Sequence, residues 1–125
     1  MPNHPNYLYC ELGNRFAMNI IDTNIFQPAY VESKKKQFRA AFDFVDRQLY
    51  EGRKVLIHCN MGLSRSPVIT VAYLVSRDID GYGGMPFAIA LNRFASENGI
   101  YMEPKNDILR STNEMWEDFI LKGAR

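Results

Sequence analysis

The chain has 125 residues, of which 46% are apolar and 13% aromatic, enough for one domain with a small core. Fifteen basic and fourteen acidic side chains give a net charge of +1, which argues against a nucleic-acid-coating protein. No apolar run approaches the ~18 residues of a membrane span, and residues 1–6 lack a signal-peptide pattern. Two cysteines and two histidines supply too few ligands for a four-cysteine zinc site. We therefore expect one cytoplasmic domain over residues 1–125, with no metal or other cofactor.

Two strand-like stretches lie near the N-terminus. Residues 7–12 alternate loosely between apolar and polar side chains, and residues 16–21 form a second apolar stretch. Gly13 and Asn14 between them are typical of a turn, and the polar residues 22–24 end the second stretch. The pattern predicts two strands joined by a turn and followed by a loop.

A first helix is predicted over residues 31–51. Phe38, Phe42, Val45 and Leu49 recur at helical spacing, and Gly52 is a good helix stop. The basic run 34–36 near its start is expected to be solvated, although it is also able to attract phosphorylated or acidic partners.

In the second half of the chain, the pattern of apolar residues predicts one short buried strand and three helices. Residues 55–57 are apolar and predict a strand of a parallel or mixed sheet. Pro67 opens a nearly all-apolar segment typical of a buried helix. Residues 86–98 predict a third helix that stops at Gly99, and Asn106 is a candidate cap for a last helix to residue 121, with Trp116 in the core. These elements indicate an α/β or α+β fold, a small sheet covered by helices.

The segment over residues 55–67 combines strand, loop and helix with chemically useful side chains. A loop that enters a helix N-terminus is able to turn several backbone N–H groups toward one anion. Gly62 permits the backbone angles of such a turn, and Arg65 offers a planar fork for two phosphate oxygens. Cys59 lies at the base of this loop, where the same donors stabilise a thiolate. A thiolate under a bound phosphoryl group is an in-line nucleophile.

This segment resembles the signature loop H-C-x-x-G-x-x-R-[S/T] of the cysteine-dependent protein tyrosine phosphatases. The resemblance is carried by His58, Cys59, Gly62, Arg65 and Ser66. The R-S-P sequence and the apolar run 68–74 resemble the dual-specificity branch. Residues 4–7 and 13–15 and the late Trp116 resemble bacterial and phage-borne members. The resemblance implies an α/β fold with a small, mostly parallel central sheet flanked by helices, here with a shortened N-terminus or a missing N-terminal piece.

The family mechanism assigns a role to each matching residue. Cys59 attacks phosphorus, Ser66 stabilises its thiolate, and His58 supports the loop. Arg65 stabilises the phosphate oxygens. The expected phosphate-binding loop consists of Asn60, Met61, Gly62, Leu63, Ser64 and Arg65.

The family also needs a general acid for the leaving oxygen. Asp22 fits this role because it ends the second strand-like stretch and opens a loop. As a lone residue it is also typical of a simple turn, but we favour the general acid. Asp43 and Asp46 are rivals by charge, but both lie on the predicted first helix, where we expect them to be solvated.

The resemblance therefore implies a phosphatase that acts on phosphotyrosine and phosphoserine or phosphothreonine in proteins. No tyrosine-specific recognition loop is found upstream, and the uncharged Asn60, Met61 and Leu63 argue against a phosphoinositide substrate. The expected partner is a phosphorylated protein or peptide rather than nucleic acid or a membrane. Three alternatives remain: a phosphate-binding pseudophosphatase, a phosphatase of other phosphate esters, and a rhodanese-like sulfur carrier. Cys10 is expected to be an ordinary strand cysteine, with a protective disulfide to Cys59 as the alternative.

Overall fold

The computed structural model describes residues 8–20, 23–59 and 64–125. Among these residues, two strands come first, followed by four α-helices. The elements are β1 (Tyr9–Leu12), β2 (Arg15–Met18), α1 (Val31–Tyr50), α2 (Arg65–Ser76), α3 (Phe87–Asn98) and α4 (Asn106–Glu114). A 3-10 turn leads into α1 at Pro28–Tyr30, and a π-helical turn follows α4 at Trp116–Ile120.

β1 and β2 form an antiparallel hairpin in which Tyr9 lies opposite Met18. Gly13 has a φ of 60° in the turn, a conformation that glycine adopts without steric cost. The ring of Phe16 stacks on Tyr9 at 5.3 Å and packs against Phe44 of α1 at 5.4 Å, measured between ring centroids. The predicted pair of strands and its turn are confirmed.

Gln37 of α1 holds the base of this hairpin. Its side chain is almost fully buried, and its Nε2 donates hydrogen bonds to the carbonyl oxygens of Leu8 and Asn19, both at 2.9 Å. Both amide hydrogens are thereby bonded, which offsets the cost of burying a polar group. The hairpin is therefore fixed to α1 immediately before residues 21–22.

Helix α2 lies in the centre of the core. Its buried apolar side chains cover nearly all of its surface and are Val68, Ile69, Val71, Ala72, Tyr73 and Val75. The buried helix predicted after Pro67 is confirmed, and Trp116 is buried as expected. Leu49, predicted to face inward, is 45% exposed. Its position in the last turn of α1, beside the exposed Tyr50, carries it past the edge of the core.

The strand predicted at residues 55–57 is not formed in the structure. Residues 53–59 have no regular secondary structure, and Leu56 is 83% exposed. Within the described ranges, the strands form one two-stranded antiparallel sheet, so the mostly parallel sheet is not found there. An apolar run favours a strand, but a strand also needs a hydrogen-bonding neighbour, and residues 55–57 have none among the described residues.

The predicted end of the third helix is confirmed, whereas the last helix differs from the prediction at both ends. α3 ends at Gly99, whose φ of 59° is typical of a left-handed C-terminal cap, as predicted. The last helix is shorter than predicted, because α4 ends at Glu114 and the chain continues as a π-helical turn. Asn106 is the first residue of α4 rather than its cap. Of the helices that the structure describes, none is both long and apolar enough to cross a membrane.

Candidate active site

Cys59 and Ser66 face each other across the entrance to α2. The Sγ of Cys59 lies 3.4 Å from the Oγ of Ser66 and 3.5 Å from its backbone nitrogen, whose N–H points to the sulfur. Cys59 is partly buried and Ser66 is buried. A hydroxyl rotates freely enough to donate to a thiolate, so both groups of Ser66 are able to stabilise negative charge on the sulfur. Ser66 is itself held in the helix, since its carbonyl oxygen accepts a hydrogen bond from Thr70 at 2.7 Å.

The N-terminus of α2 adds a favourable electrostatic field at this sulfur. The helix begins at Arg65, and its 12 residues align peptide dipoles whose positive end lies beside Cys59. A thiolate near a helix N-terminus is more stable than a free one. The structure therefore brings Cys59 and Ser66 together as the sequence analysis requires of a nucleophile and its stabilising partner.

Arg65 joins the start of α2 to the end of the hairpin. Its Nη1 donates a hydrogen bond to the carbonyl oxygen of the buried Ile20 at 3.1 Å. Ile20 directly precedes residues 21–22, so the chain that leads to Asp22 is in contact with the side chain expected to bind phosphate.

Several predicted site residues lie outside the described residues. These are Asp22 and the loop residues Asn60, Met61, Gly62 and Leu63. Ser64, at the end of that loop, is buried, and its Oγ accepts a hydrogen bond from the backbone nitrogen of Lys105 at 2.9 Å. The side chain of His58 is exposed. The roles of Asp22, of residues 60–64 and of His58 in binding and catalysis stay predictions.

The rival acids Asp43 and Asp46 belong to α1. Both lie near Arg77, at the C-terminal end of α2 and away from Arg65. Asp46 accepts hydrogen bonds from the Tyr73 hydroxyl at 2.6 Å and from Arg77, while Asp43 lies 3.9 Å from Arg77. α2 is about 18 Å long at ~1.5 Å per residue, so this cluster is far from the Arg65 end.

This cluster also shifts the ionisation of its members. Partial burial opposes the charged form of Asp46, but the hydrogen bonds from Arg77 and Tyr73 outweigh it and lower the pKa of the carboxyl. Burial and the hydrogen bond to Asp46 raise the pKa of Tyr73. The expectation that Asp46 is simply solvated is wrong. Tertiary packing places its carboxylate against Tyr73 of α2 and against Arg77, which directly follows α2.

A buried ion pair near the candidate site was not predicted from the sequence. Lys34, expected to be solvated, is 4% exposed, and its Nζ lies 3.1 Å from Oδ2 of Asp107, which is 1% exposed. The two residues are far apart in the chain, and nothing in the local sequence pattern of either one marks a buried charge. Within the described ranges, no cluster of three or more His, Cys, Asp or Glu side chains forms a metal site.

A cysteine sulfur at the N-terminus of a buried helix, with a hydroxyl and an arginine in the first turn, is the arrangement that a cysteine-dependent phosphatase needs. Residues 4–79 match the family "Dual specificity phosphatase, catalytic domain". The match covers more than half of the chain, and the chain belongs to this family. The predicted dual-specificity branch is thus confirmed, whereas the resemblance to bacterial and phage-borne members stays a prediction.

Individual relatives match shorter parts of the chain. Dual specificity protein phosphatase 5 of Rattus norvegicus is 55% identical over 38 residues, 30% of this chain and 10% of the relative. Dual specificity protein phosphatase 9 of Homo sapiens is 45% identical over 76 residues, 61% of this chain and 18% of the relative. Dual specificity protein phosphatase 1 of Arabidopsis thaliana is 33% identical over 78 residues, 62% of this chain and 36% of the relative. The matched part is therefore about a tenth to a third of these relatives' length. No solved structure matches the chain.

Proposed function

We propose that this protein removes phosphate from phosphotyrosine and from phosphoserine or phosphothreonine in proteins, through a phosphocysteine intermediate. The observation that carries the proposal is the position of Cys59. Its Sγ receives the Ser66 N–H and lies next to the Ser66 hydroxyl at the start of α2. Membership of the dual specificity phosphatase family supports the same chemistry.

In the first step the Cys59 thiolate attacks phosphorus. An S–P bond forms while the bond from phosphorus to the leaving oxygen breaks, and the carboxylic acid of Asp22 gives its proton to that oxygen. The backbone N–H groups of residues 60–65 and the guanidinium of Arg65 stabilise the charge on the remaining phosphate oxygens. The contact of Arg65 with Ile20, two residues before Asp22, supports placing the acid beside the phosphate-binding group.

In the second step water hydrolyses the phosphocysteine. The Asp22 carboxylate takes a proton from the water as its oxygen attacks phosphorus, and the electrons of the S–P bond return to sulfur. Ser66 donates a hydrogen bond to the thiolate that leaves, and His58 supports the loop from the preceding position. The products are inorganic phosphate and the regenerated thiolate, so the reaction needs no metal or redox cofactor.

We propose phosphorylated proteins or peptides as the substrates, since the similar proteins described above are named as protein phosphatases, and the cytoplasm as the place of the reaction. The uncharged side chains of Asn60, Met61 and Leu63 favour a protein phosphoester over a polyanionic lipid headgroup.

The test is hydrolysis of a phosphotyrosine peptide and a phosphothreonine peptide in EDTA, with Cys59→Ser and Cys10→Ser compared with wild type. We expect hydrolysis of both peptides by wild type and Cys10→Ser, and none by Cys59→Ser, because a serine hydroxyl is a much weaker nucleophile than a thiolate. Cys10 is the matched control, a free cysteine in β1. An inactive wild type that still binds vanadate or phosphate would favour the pseudophosphatase alternative.

A further inference from the structure

A buried ion pair lies directly beneath the loop that follows Asp22. Lys34 and Asp107 are joined at 3.1 Å between Nζ and Oδ2, and both side chains are at most 5% exposed. Removing two charges from water is costly, and such a pair often stabilises a fold no better than apolar side chains would. Its presence therefore calls for a role besides stability.

Asp107 holds both ends of residues 23–27. Its Oδ1 accepts a hydrogen bond from the backbone nitrogen of Gln27 at 3.0 Å, and its own backbone nitrogen donates to the carbonyl oxygen of Thr23 at 3.0 Å. Ser111, one turn later in α4, donates a hydrogen bond from its Oγ to the same Oδ1 at 3.4 Å. The carboxylate of Asp107 is thus oriented by groups on α1, on α4 and on the loop 23–27, and Thr23 is the neighbour of Asp22.

The residues just before Asp107 contact the other side of the candidate site. The backbone nitrogen of Lys105 donates to Oγ of Ser64, which follows the loop 60–63. The backbone nitrogen of Asn106 donates to Oδ1 of Asn24 at 3.5 Å. We call residues 105–107 the bridge segment, because within three residues it contacts both the end of the signature loop and the loop after Asp22.

We propose that Asp107 is a positioning residue that holds residues 23–27 against the bridge segment and thereby sets the approach of Asp22 to the leaving oxygen. The proposal rests on the proposed function, in which Asp22 is the general acid. Asp107 acts through Thr23 and Gln27, while Lys34 compensates the buried charge of its carboxylate. Neither side chain needs to touch substrate.

Two neutral double variants separate the positioning contact from the buried charges. Lys34→Met with Asp107→Leu removes both charges and the oxygen that accepts the Gln27 hydrogen bond. Lys34→Met with Asp107→Asn also removes both charges but keeps that oxygen. The control is Glu32→Gln with Lys35→Met, which removes the neighbouring ion pair of α1, whose Glu32 is exposed. If the Leu variant does not fold, Asp107→Glu keeps the charge, moves the acceptor oxygen and makes the same comparison.

The readout is the dependence of kcat/KM on the leaving group, measured with phenyl phosphate and with difluoromethylumbelliferyl phosphate, because kcat/KM reports the first step, in which Asp22 is the acid. A poor leaving group needs the acid, and general acid catalysis contributes about 10²- to 10⁴-fold. We expect the Leu variant to lose about 10- to 100-fold in kcat/KM on phenyl phosphate, and less than about threefold on the fluorinated ester. The Asn variant and the control should remain within about threefold of wild type on both. An equal loss on both substrates by a folded Leu variant would overturn the proposal.

Amide hydrogen exchange over residues 23–27 tests the same idea without turnover. Exchange in these residues should be faster in the Leu variant and close to wild type in the Asn variant and the control. Unchanged exchange in the Leu variant would overturn the positioning role, whatever the activity. An inactive wild type, by contrast, would overturn the proposed function, and the exchange result would still decide whether Asp107 holds the loop.

Discussion

Nη1 of Arg65 donates a hydrogen bond to the carbonyl oxygen of Ile20, 3.1 Å away. This bond links the first residue of α2 to the last described residue before Asp22. A guanidinium carries five N–H donors, so it is able to make this bond and still present others to a phosphate. The side chain proposed to bind phosphate is thus hydrogen-bonded to the segment that leads to the proposed acid.

Replacing Arg65 with lysine should therefore reduce kcat/KM strongly. We expect a loss of about 10²-fold or more for a phosphotyrosine peptide. The ammonium group of lysine cannot form a bidentate contact with phosphate and keep the hydrogen bond to Ile20 as well. Inhibition by arsenate should weaken in parallel. Arg93→Lys is the control, since Arg93 pairs with Glu97 on α3 and should leave kcat/KM unchanged. A loss of less than about threefold in Arg65→Lys would contradict the proposed role.

Ser66→Ala should slow the second step more than the first. The Oγ lies 3.4 Å from Sγ of Cys59, and a hydrogen bond to a charged group contributes about 1.5–3 kcal/mol, or about 10- to 100-fold in rate. We expect phosphocysteine to accumulate, so that stopped-flow with para-nitrophenyl phosphate shows a burst followed by slow turnover. Ser76→Ala, which removes a hydroxyl bonded to the Tyr73 carbonyl, should show wild-type kinetics. Slow turnover with no burst would mean that Ser66 acts in the first step.

Asp46→Asn should change how stability depends on pH. Because the folded pKa of Asp46 lies below its usual value of 3.8, the unfolded chain binds its proton first as the pH falls. Its contribution is complete above that usual value and is lost as the pH falls through the lowered folded pKa. We expect Asp46→Asn to cost about 1–3 kcal/mol in the free energy of unfolding at pH 7, and much less at the acid end.

Urea unfolding between pH 7 and pH 3 measures this difference. Asp43→Asn is the matched control on the same helix, because Asp43 is 55% exposed and lies 3.9 Å from Arg77. It should have a small effect at every pH. An Asp46→Asn variant with the same loss at every pH would show that the cost is one of packing rather than charge.

The predictions that succeeded rest on local pattern. The hairpin has a turn glycine with φ of 60° between its strands, and α3 stops at Gly99 because a glycine accepts the left-handed cap. α2 was recognised as buried because its apolar residues leave no polar face. The proximity of Cys59 and Ser66 also follows from local sequence, since the two residues are only seven positions apart.

The predictions that failed depend on partners distant in the chain. Residues 55–57 have the composition of a strand, but their pairing depends on a neighbour that local sequence does not name. Lys34 looks like a solvated helix residue until α4 brings Asp107 to it. Asp46 looks like a surface carboxylate until α2 brings Tyr73 and Arg77 to it.

Local sequence accounts for the helices, the hairpin and the chemical class of the site. Periodicity, glycine positions and the spacing of Cys59, Arg65 and Ser66 are encoded within short stretches. The tertiary structure alone decided which charges are buried and how residues 105–107 join the two loops of the candidate site. The reason is physical: an ion pair or a backbone hydrogen bond depends on a distance of about 3 Å between atoms. Only the packing of α1, α2 and α4 brings such distant residues together.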